Sequence, residues 1–317
     1  MRILVADIGG THARFAVADV EKDARPRIGP VIKYRARDHP SLEALWPVLA
    51  ADLPGPEPTQ AAFAVAAPMD ADVLEFTNSD WRIDRRRIGR ELGLERLLLL
   101  NDFGATAHAV SMLAPDETEH ISGPEETTIA GGVTSVIGPG TGLGVAILVE
   151  GEGKVDVIET EGAHMSFAPL DEEEEKAARS VRRRHGRASI ERLASGPGLA
   201  EIRHALGGPA PEEADAAGLW QEALEGDDRL AARALDILIG VMGSVAGDFA
   251  LAHGAGRLVV AGGLAQRLVE HLRAPRFAER FVAKGRYEAR MRRIPVRLAT
   301  LAEPGLLGAA VAFQRNL

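Results

Sequence analysis

Length, composition and charge bound what this chain can be. Its 317 residues are enough for two lobes. Hydrophobic residues make up 46% of the chain and charged residues 26%, which is an ordinary composition for a globular protein. The net charge of −9 leaves no basic excess to displace counterions from phosphates, which argues against a nucleic-acid or anionic-membrane partner. The chain has no cysteine, which excludes disulfides, thiolate metal sites and a cysteine nucleophile and fits a reducing cytoplasm.

Neither apolar stretch of the chain has the pattern of a membrane or export segment. The first one is cut by Asp7, so we expect no signal peptide. The stretch from Leu235 to His253 carries Asp236 and Asp248 and several glycines. It is too polar for a membrane span and predicts a tightly packed interior helix.

Strands and helices alternate along the first half. RILVAD and ARFAVADV predict two buried strands that form a hairpin, with its turn over 7–12. A helix with Ser41 as N-cap follows over PSLEALWPVLAADL, then a strand over QAAFAVAAP and a basic amphipathic helix over RRRIGRELGL. ERLLLLND predicts a buried strand and GATAHAVSMLAP a helix directly after it. This alternation indicates an α/β fold with a mostly parallel sheet.

The second half begins near Asp116 and contains a partial copy of the opening. TTIAGGVTSVIGPGTGLGVAILVEG predicts a strand, a glycine turn and a second strand. GTHARFAV, from Gly10 to Val17, aligns with GTGLGVAI, from Gly140 to Ile147. Because each copy opens one half of the chain, we favour a duplicated lobe, although the match is short.

Charged runs occur at three places. We interpret Arg85–Arg87 and Arg182–Arg184 as solvated helix faces, and the acidic run Asp171–Glu175 as a surface feature.

The two Gly-Thr turns favour phosphate binding. Glycines let the backbone approach a ligand, and successive N–H groups in a turn form an anion nest. A plain hairpin turn explains either copy alone about as well, but the pair, together with Asp7, favours phosphate. Neither turn has the spacing of a P-loop or of a dinucleotide-binding fold. Since an acid beside a phosphate needs a cation between them, we interpret Asp7 as facing a magnesium-bound phosphate.

Asn101 and Asp102 end a buried strand, where open α/β sheets place their ligands. An aspartate there can accept a proton from a substrate hydroxyl while the asparagine orients it, as a kinase base requires. The alternative is that Asp102 only caps the helix beginning near Gly104.

Three further segments carry weaker signals. Glu161 and His164 lie on a loop after a strand, and both side chains can form hydrogen bonds with the vicinal hydroxyls of a ligand. His164 is a weak candidate for a metal ligand, because no cysteine and no second nearby histidine would complete the site. Glu191 lies early in a helix, where a glutamate is usually a dipole partner. Gly262-Gly263 joins a strand to a helix and allows a flat ring such as adenine to approach.

In this order the motifs resemble the bacterial glucokinases, which share the nucleotide-binding fold of actin, hexokinase and the heat-shock chaperones. The resemblance covers nearly the whole chain, from Val5 to Val311. The stretches that carry it are VADIGGTHARFAV, LLLLNDFGATAHAV, IGPGTGLGVAILV, EGAHMSFAP, ERLASGPGL, VVAGGLAQR and PGLLGAAV.

The resemblance implies a two-lobed actin-like ATPase fold of the ribonuclease H-like type, with a cleft between lobes that each contain a mixed sheet and flanking helices. The implied small α/β domain is 1–112, completed by 301–317, and the large one is 113–300. Asp7 would hold Mg²⁺ through water, and Asp102 would be catalytic. The implied sugar ligands are Asn101, Asp102, Glu161, His164 and Glu191. The implied ATP-binding residues are Asp7, Ile8, Gly9, Gly10, Thr11, His12, Gly138, Gly140, Thr141, Gly142, Gly262 and Gly263.

The chain departs from the family pattern at four positions. His12 stands where asparagine is frequent, so we expect a phosphate contact that strengthens on protonation and activity that falls as pH rises past the pKa of His12. Pro139 replaces a small residue and removes one backbone donor. Ala163 replaces a common glycine and Ser166 a common acid, which leaves the sugar specificity open. We expect the chain to belong neither to the relatives with a cysteine-rich zinc motif nor to those with an added DNA-binding domain.

The implied reaction is ATP-dependent phosphorylation of glucose at the 6-hydroxyl, giving glucose 6-phosphate for glycolysis and ADP, with Asp102 as general base. The resemblance further implies a cytoplasmic homodimer. Alternatives are a kinase for another hexose (fructose, mannose or an N-acetylated amino sugar), a non-catalytic sugar sensor on the same fold, and a filament or chaperone ATPase of the actin type.

Overall fold

The structure, a computed structural model, describes residues 1–22, 24–67, 69–76, 79–125, 132–213 and 215–317. The strands of these residues are β1 (Arg2–Ile8), β2 (His12–Asp19), β3 (Arg27–Ile28), β4 (Ile32–Arg35), β5 (Gln60–Val65), β6 (Val73–Glu75), β7 (Arg82–Asp84), β8 (Arg96–Asn101), β9 (Thr118–Ser122), β10 (Gly132–Pro139), β11 (Leu143–Gly151), β12 (Lys154–Thr160), β13 (Arg257–Val260) and β14 (Val296–Ala299).

The helices of the described residues are α1 (Leu42–Asp52), α2 (Ile88–Glu91), α3 (Asp102–Val110), α4 (Glu172–His185), α5 (Ile190–Leu193), α6 (Gly198–Ala205), α7 (Ala216–Glu225), α8 (Arg229–Ala252), α9 (Gly263–Arg267), α10 (Val269–Arg273), α11 (Pro275–Val282), α12 (Glu288–Met291) and α13 (Pro304–Arg315). The strands and helices predicted along the first half are present. The first residues of the strand predicted from Thr127 lie outside the described residues.

Two compact units make up the chain. The first unit comprises Met1–Ala114 and Leu301–Leu317, and the second comprises Pro115–Thr300. The domain boundary drawn from the sequence after residue 112 stays a prediction, because compactness alone does not establish separate folding.

The first unit is built on a sheet in the order β3-β2-β1-β5-β8, with β4 also pairing with β2. The β1–β2 pair is antiparallel, whereas β1–β5 and β5–β8 are parallel. One face packs Phe15 and Phe63 against α1, and the other packs Ile3 and Val5 against Leu306 and Phe313 of α13. Ser41 accepts a hydrogen bond from Ala44 N–H at 3.2 Å, so the predicted N-cap of α1 is confirmed.

The second unit is built on a sheet in the order β12-β11-β10-β13-β14-β9. The long helix α8 is apolar and long enough to cross a membrane by composition alone, but 83% of its apolar stretch is buried inside the protein. The predicted interior helix is therefore confirmed. Its glycines allow α11 to approach: a Cβ on Gly243 would lie 2.3 Å from Phe277 O, and one on Gly247 would lie 2.3 Å from Phe281 O.

Both units repeat one strand topology. In each, an antiparallel meander forms one side of the sheet, namely β3-β2-β1 or β12-β11-β10, and two parallel strands extend the other side. The glycine turns occupy equivalent places, between β1 and β2 and between β10 and β11. The shared topology supports the duplicated lobe inferred from the short sequence match.

Three expectations about charged segments are corrected. The basic helix predicted over residues 85–94 is shortened to α2, because the chain turns at Arg87 and again at Gly93, where φ is +70°. Arg184 is only 21% exposed and lies 3.3 Å from the carboxylate of Glu201, so it does not belong to a solvated face. Glu174, inside the acidic run, is fully buried beside Arg280.

Candidate active site

The first glycine turn spans Gly9–Thr11, between the last residue of β1 and the first of β2. Gly9 N–H donates to His12 O at 2.9 Å, which closes the turn, and Thr11 O accepts from Ala36 N–H at 3.0 Å. Among the described residues, none accepts a hydrogen bond from the amides of Gly10 and Thr11. These two donors suit an external anion.

Asp7 lies one residue before the end of β1, in a charged cluster. Arg14 Nη1 is 3.3 Å from Asp7 Oδ2, and Arg14 Nε is 3.1 Å from Glu303 Oε2. Burial raises the pKa of Asp7, the Arg14 cation opposes the rise, and the Glu303 carboxylate adds to it. The N-terminus of α13 approaches Asp7 closely, because a Cβ on Gly305 would be 2.8 Å from its Cγ. The structure thus holds a poorly solvated carboxylate directly before the first turn.

His12 begins β2 beside a row of cations. It pairs with Arg35 across the sheet, and Arg14 pairs with Lys33. Loss of solvation, and then the charges of Lys33, Arg14 and Arg35, lower the pKa of His12 from its usual 6.5. The ring is therefore neutral at pH 7, so the expected dependence on a protonated His12 moves to lower pH.

Asn101 and Asp102 stand at the junction of β8 and α3. Asn101 Oδ1 accepts from Phe103 N–H at 2.8 Å and from Gly104 N–H at 3.2 Å, so Asn101 is the N-cap of α3. The alternative in which Asp102 caps a helix beginning near Gly104 is wrong, because the helix begins at Asp102 itself. The amide nitrogen of Asn101 lies 3.4 Å from Ala67 O, and it is the part of that side chain not used in the cap.

The sheet register brings the two sites of the first unit to one edge. Ile8 pairs with Val65, and Val65 pairs with Asn101, all in parallel strands. The first glycine turn and Asp102 therefore follow strand ends that are level and two strands apart, about 10 Å at normal strand spacing.

The second glycine turn spans Gly140–Gly142, between β10 and β11, directly after Gly138 and Pro139. Gly140 N–H donates to Gly142 O at 2.8 Å, and Gly140 O accepts from Gly196 N–H at 2.7 Å. Thr141 and Gly142 N–H donate to no acceptor in the part of the chain that the structure describes. Two amides therefore suit an anion here as well, even though Pro139 has none.

The Gly262-Gly263 segment adjoins the second turn. Ala261 N–H donates to Ile137 O at 2.8 Å, which continues the β10–β13 pairing to the end of the strand. Gly262 has φ +99°, a conformation that favours glycine, and α9 begins at Gly263. A Cβ on Gly262 would lie 3.5 Å from Pro139 O, so the two glycine segments are neighbours.

Glu161 precedes a single 3₁₀ turn after β12, Gly162–His164, and His164 is the last residue of that turn. Glu161 Oε2 and His164 Nε2 are 3.6 Å apart, and the side chains are 79% and 60% exposed, so both are accessible to a ligand. A Cβ on Gly162 would lie 2.8 Å from Phe249 Cε1, so the glycine lets this turn pack on α8.

Glu191, on α5, lies against the second glycine turn, where its Oε2 accepts from Leu143 N–H at 3.0 Å. Glu191 therefore does more than stabilise the dipole of a short helix, because its carboxylate binds a backbone amide next to the second turn.

Sequence reasoning missed Arg14, Glu303 and Gly196. Arg14 carried a signal, since it follows His12 by two residues and so shares its face of the strand. Glu303 carried none, because its contact with Arg14 joins residues far apart in the chain. Among the described residues, no group of three or more histidine, aspartate or glutamate side chains forms a metal cage.

Comparison with known proteins identifies the family. A protein-family model described as Glucokinase matches residues 4–316. The chain is similar to a glucokinase from Zymomonas mobilis, at 45% identity over 99% of this chain and 98% of that protein. It is also similar to a glucokinase from a Caulobacter strain, at 39% identity over 98% of this chain and 94% of that protein.

The fold comparison agrees. The crystal structure of a glucokinase from an Antarctic psychrotroph superposes with a TM-score of 0.84 at 32% identity, covering 98% of each chain. With the two mixed sheets and their flanking helices, this confirms the predicted actin-like ATPase fold class. The chain therefore belongs to the glucokinase family, and the predicted kind of enzyme is confirmed.

Proposed function

We propose that this enzyme transfers the γ-phosphoryl group of ATP to the 6-hydroxyl of glucose, releasing glucose 6-phosphate and ADP. The observation that carries the proposal is the level register of Ile8, Val65 and Asn101, which puts a glycine turn with unused amides at the same sheet edge as Asp102. The similarity to proteins named glucokinase, at up to 45% identity, supports the same substrate class.

Asp102 is the proposed general base. It occupies the first residue of α3, and its Oδ1 accepts a hydrogen bond from Phe103 N–H at 2.8 Å, which holds the carboxylate at the start of the helix. That carboxylate would take the proton of the sugar hydroxyl while its oxygen attacks the γ-phosphorus. A positioned base of this kind contributes roughly 10² to 10⁴ in rate.

Asp7 is the proposed holder of Mg²⁺, through a bound water. The donor set fits, since a hard cation takes one or two carboxylates together with phosphate oxygens and water. The raised pKa of Asp7 supports this role, because it reflects a buried anion only partly balanced by Arg14. When bound, the ion would neutralise charge on the phosphoryl oxygens.

The glycine turns are the proposed phosphate ligands. Gly10 and Thr11 in the first turn, and Thr141 and Gly142 in the second, have amides not used within the described residues. We assign the remaining predicted nucleotide contacts to Ile8, Gly9, His12, Gly138, Gly140 and, for adenosine, Gly262 and Gly263. Neutral His12 would serve as a hydrogen-bond partner rather than as a cation.

The proposed sugar ligands are the Asn101 amide nitrogen, Asp102, Glu161, His164 and Glu191. Three oxygens of this set already accept hydrogen bonds: Asn101 Oδ1 in the cap of α3, Asp102 Oδ1 from Phe103 N–H at 2.8 Å, and Glu191 Oε2 from Leu143 N–H. The sugar would therefore meet the Asn101 nitrogen and the second oxygen of Glu191. Cytoplasmic location, a homodimer and a place in glycolysis are proposed from kinship.

Release of ADP over a panel of sugars tests the function. We expect glucose to be preferred over fructose, mannose and N-acetylglucosamine, and turnover to need Mg²⁺. Preference for another hexose would assign the alternative kinase activity, and sugar binding without any ADP release would indicate a sensor. Release of ADP at the same rate without any sugar would contradict the proposal. Gel filtration with light scattering tests the homodimer.

A further inference from the structure

Two hydrogen bonds join the second glycine turn to the segment that carries Glu191. Leu143 N–H donates to Glu191 Oε2 at 3.0 Å, and Gly196 N–H donates to Gly140 O at 2.7 Å. We call this pair of bonds the α5 bridge. Because Gly140 opens the turn and Leu143 follows its last residue, the bridge holds both sides of it.

Gly142 provides the space in which the Glu191 carboxylate sits. A Cβ at this position would lie 2.5 Å from Glu191 Oε2, closer than real Cβ atoms approach any neighbour, and 3.3 Å from its Cδ, a tight contact. A Cβ at Gly140, in the same turn, would meet nothing within 4 Å. The crowding is therefore specific to the residue that faces the carboxylate.

The segment around α5 is also joined to the turn that carries Glu161 and His164. Ile190 N–H donates to Met165 O at 2.9 Å, and Phe167 N–H donates to Ala188 O at 3.0 Å. Ser166 and Ser189 add an isolated antiparallel bridge. The residues on either side of Glu191 thus contact the proposed sugar segment and the proposed phosphate turn.

We infer that Glu191 is a positioning residue for the second phosphate turn as well as a sugar ligand, so that it couples sugar binding to nucleotide binding. The inference rests on the proposed function. Oε2 holds Leu143, while Oε1 receives no hydrogen bond from the described residues and can accept one from a sugar hydroxyl. A bound sugar fixes the carboxylate, the carboxylate fixes the turn, and the turn binds phosphate more tightly. The coupling is reciprocal, since each ligand changes the affinity of the other by the same factor.

The test measures the dissociation constant of the magnesium complex of AMPPNP with and without saturating glucose. In the unaltered enzyme we expect glucose to tighten binding by about tenfold, within the usual range of coupling between sites. Gly142→Ala pushes the carboxylate away and should reduce the factor to below about twofold. His164→Ala is the matched control, because it removes a sugar ligand that lies outside the bridge. It should weaken glucose binding and leave the factor near that of the unaltered enzyme. Retention of the full factor in Gly142→Ala, or a factor of one in the unaltered enzyme, would overturn the inference.

A second pair of variants keeps the test decisive if Gly142→Ala folds poorly. Glu191→Gln keeps an oxygen that can accept from Leu143 N–H and should retain the coupling, whereas Glu191→Ala should lose it. Hydrogen exchange, measured without any sugar, tests the hydrogen bond between Glu191 and Leu143 directly. The Leu143 amide should exchange faster in Glu191→Ala than in the unaltered enzyme. Equal exchange would overturn the inference. An unaltered enzyme that binds no glucose would instead contradict the proposed function, and the exchange result would still report on the bridge.

Discussion

The two glycine hairpins have the same strand topology and opposite surroundings. Charged side chains border the first one, where Arg14 links Asp7 to Glu303, and Lys33 and Arg35 lie across the neighbouring strands. Backbone groups border the second one, with Glu191 as its carboxylate contact. The comparison teaches that the repeat consists of the backbone frame with its unused amides. The charges differ between the two copies, because they lie on side chains of the first hairpin itself, on the neighbouring strand β4 and at Glu303.

The largest expected effect comes from removing the charge of Asp102, at the sheet edge of the first unit. Asp102→Asn should lower kcat by roughly 10² to 10⁴, because the proposed base can no longer take the hydroxyl proton. Glucose binding, measured by calorimetry, should persist. Asp72→Asn makes the same chemical change at an exposed residue of this unit, whose carboxylate pairs with Arg86, and should leave kcat unchanged. Near-normal turnover in Asp102→Asn would remove Asp102 from the mechanism.

The next largest effect is a loss of stability where α13 packs against α3 in the first unit. A Cβ on Gly308 of α13 would lie 1.6 Å from Ala105 O of α3, so Gly308→Ala must separate these helices. We expect a loss of about 3 kcal/mol, at the upper end for overpacked sites, despite the better helix propensity of alanine.

Urea unfolding measures this loss. Gly89→Ala is the control, because its Cβ would be 3.5 Å from Leu97 Cβ, an ordinary contact. Equal stability of the two variants would show that α13 can move without cost.

A smaller effect tests the charge that distinguishes the first hairpin. Because burial raises the pKa of Asp7 above its usual 3.8, the folded chain binds that proton more tightly than the unfolded chain does. Ionised Asp7 therefore destabilises the fold once pH exceeds the raised value, and the penalty persists at pH 7.

Asp7→Asn should thus raise the free energy of unfolding at pH 7 without Mg²⁺, with the gain shrinking toward pH 4, while magnesium-nucleotide binding weakens. The free energy of unfolding is measured by urea titration at several pH values. Asp19→Asn, at the exposed end of β2, should leave both properties unchanged. A destabilised Asp7→Asn would show that the pairing with Arg14 outweighs burial.

The smallest effect concerns His12. Its lowered folded pKa means that the unfolded chain binds the proton more tightly, so its stabilising contribution is complete above 6.5 and is lost as pH falls below that value. His12→Asn, which keeps a hydrogen-bonding side chain, should make the decline in unfolding free energy between pH 7 and pH 5 less steep. Because His108 and His253 also have lowered pKa values, the difference between variant and unaltered chain is the quantity to measure. Identical slopes would contradict the assignment.

Local sequence was informative wherever neighbouring residues decide the structure. The hydrophobic runs of β1, β5 and β8 and the Ser41 cap were predicted because strand burial and capping depend on a few adjacent residues. The helix predicted over residues 85–94 was too long, since only Ile88 and Leu92 in its apolar pattern are buried and Gly93 ends it. Asn101, rather than Asp102, is the N-cap of α3, although Asp102 Oδ1 also accepts from Phe103 N–H, and their neighbouring positions alone could not show at which of the two residues the helix begins.

The sequence by itself determined the α/β class, the two glycine hairpins and the family, because these rest on periodicity, on conformations that favour glycine and on motifs in a fixed order. Only the tertiary structure decided the partners of the charged groups. It brought Glu303 to Arg14 and Glu191 to Leu143, and it buried Glu174 beneath Arg280. Such contacts join distant parts of the chain, and their geometry depends on how whole sheets and helices pack rather than on any local pattern.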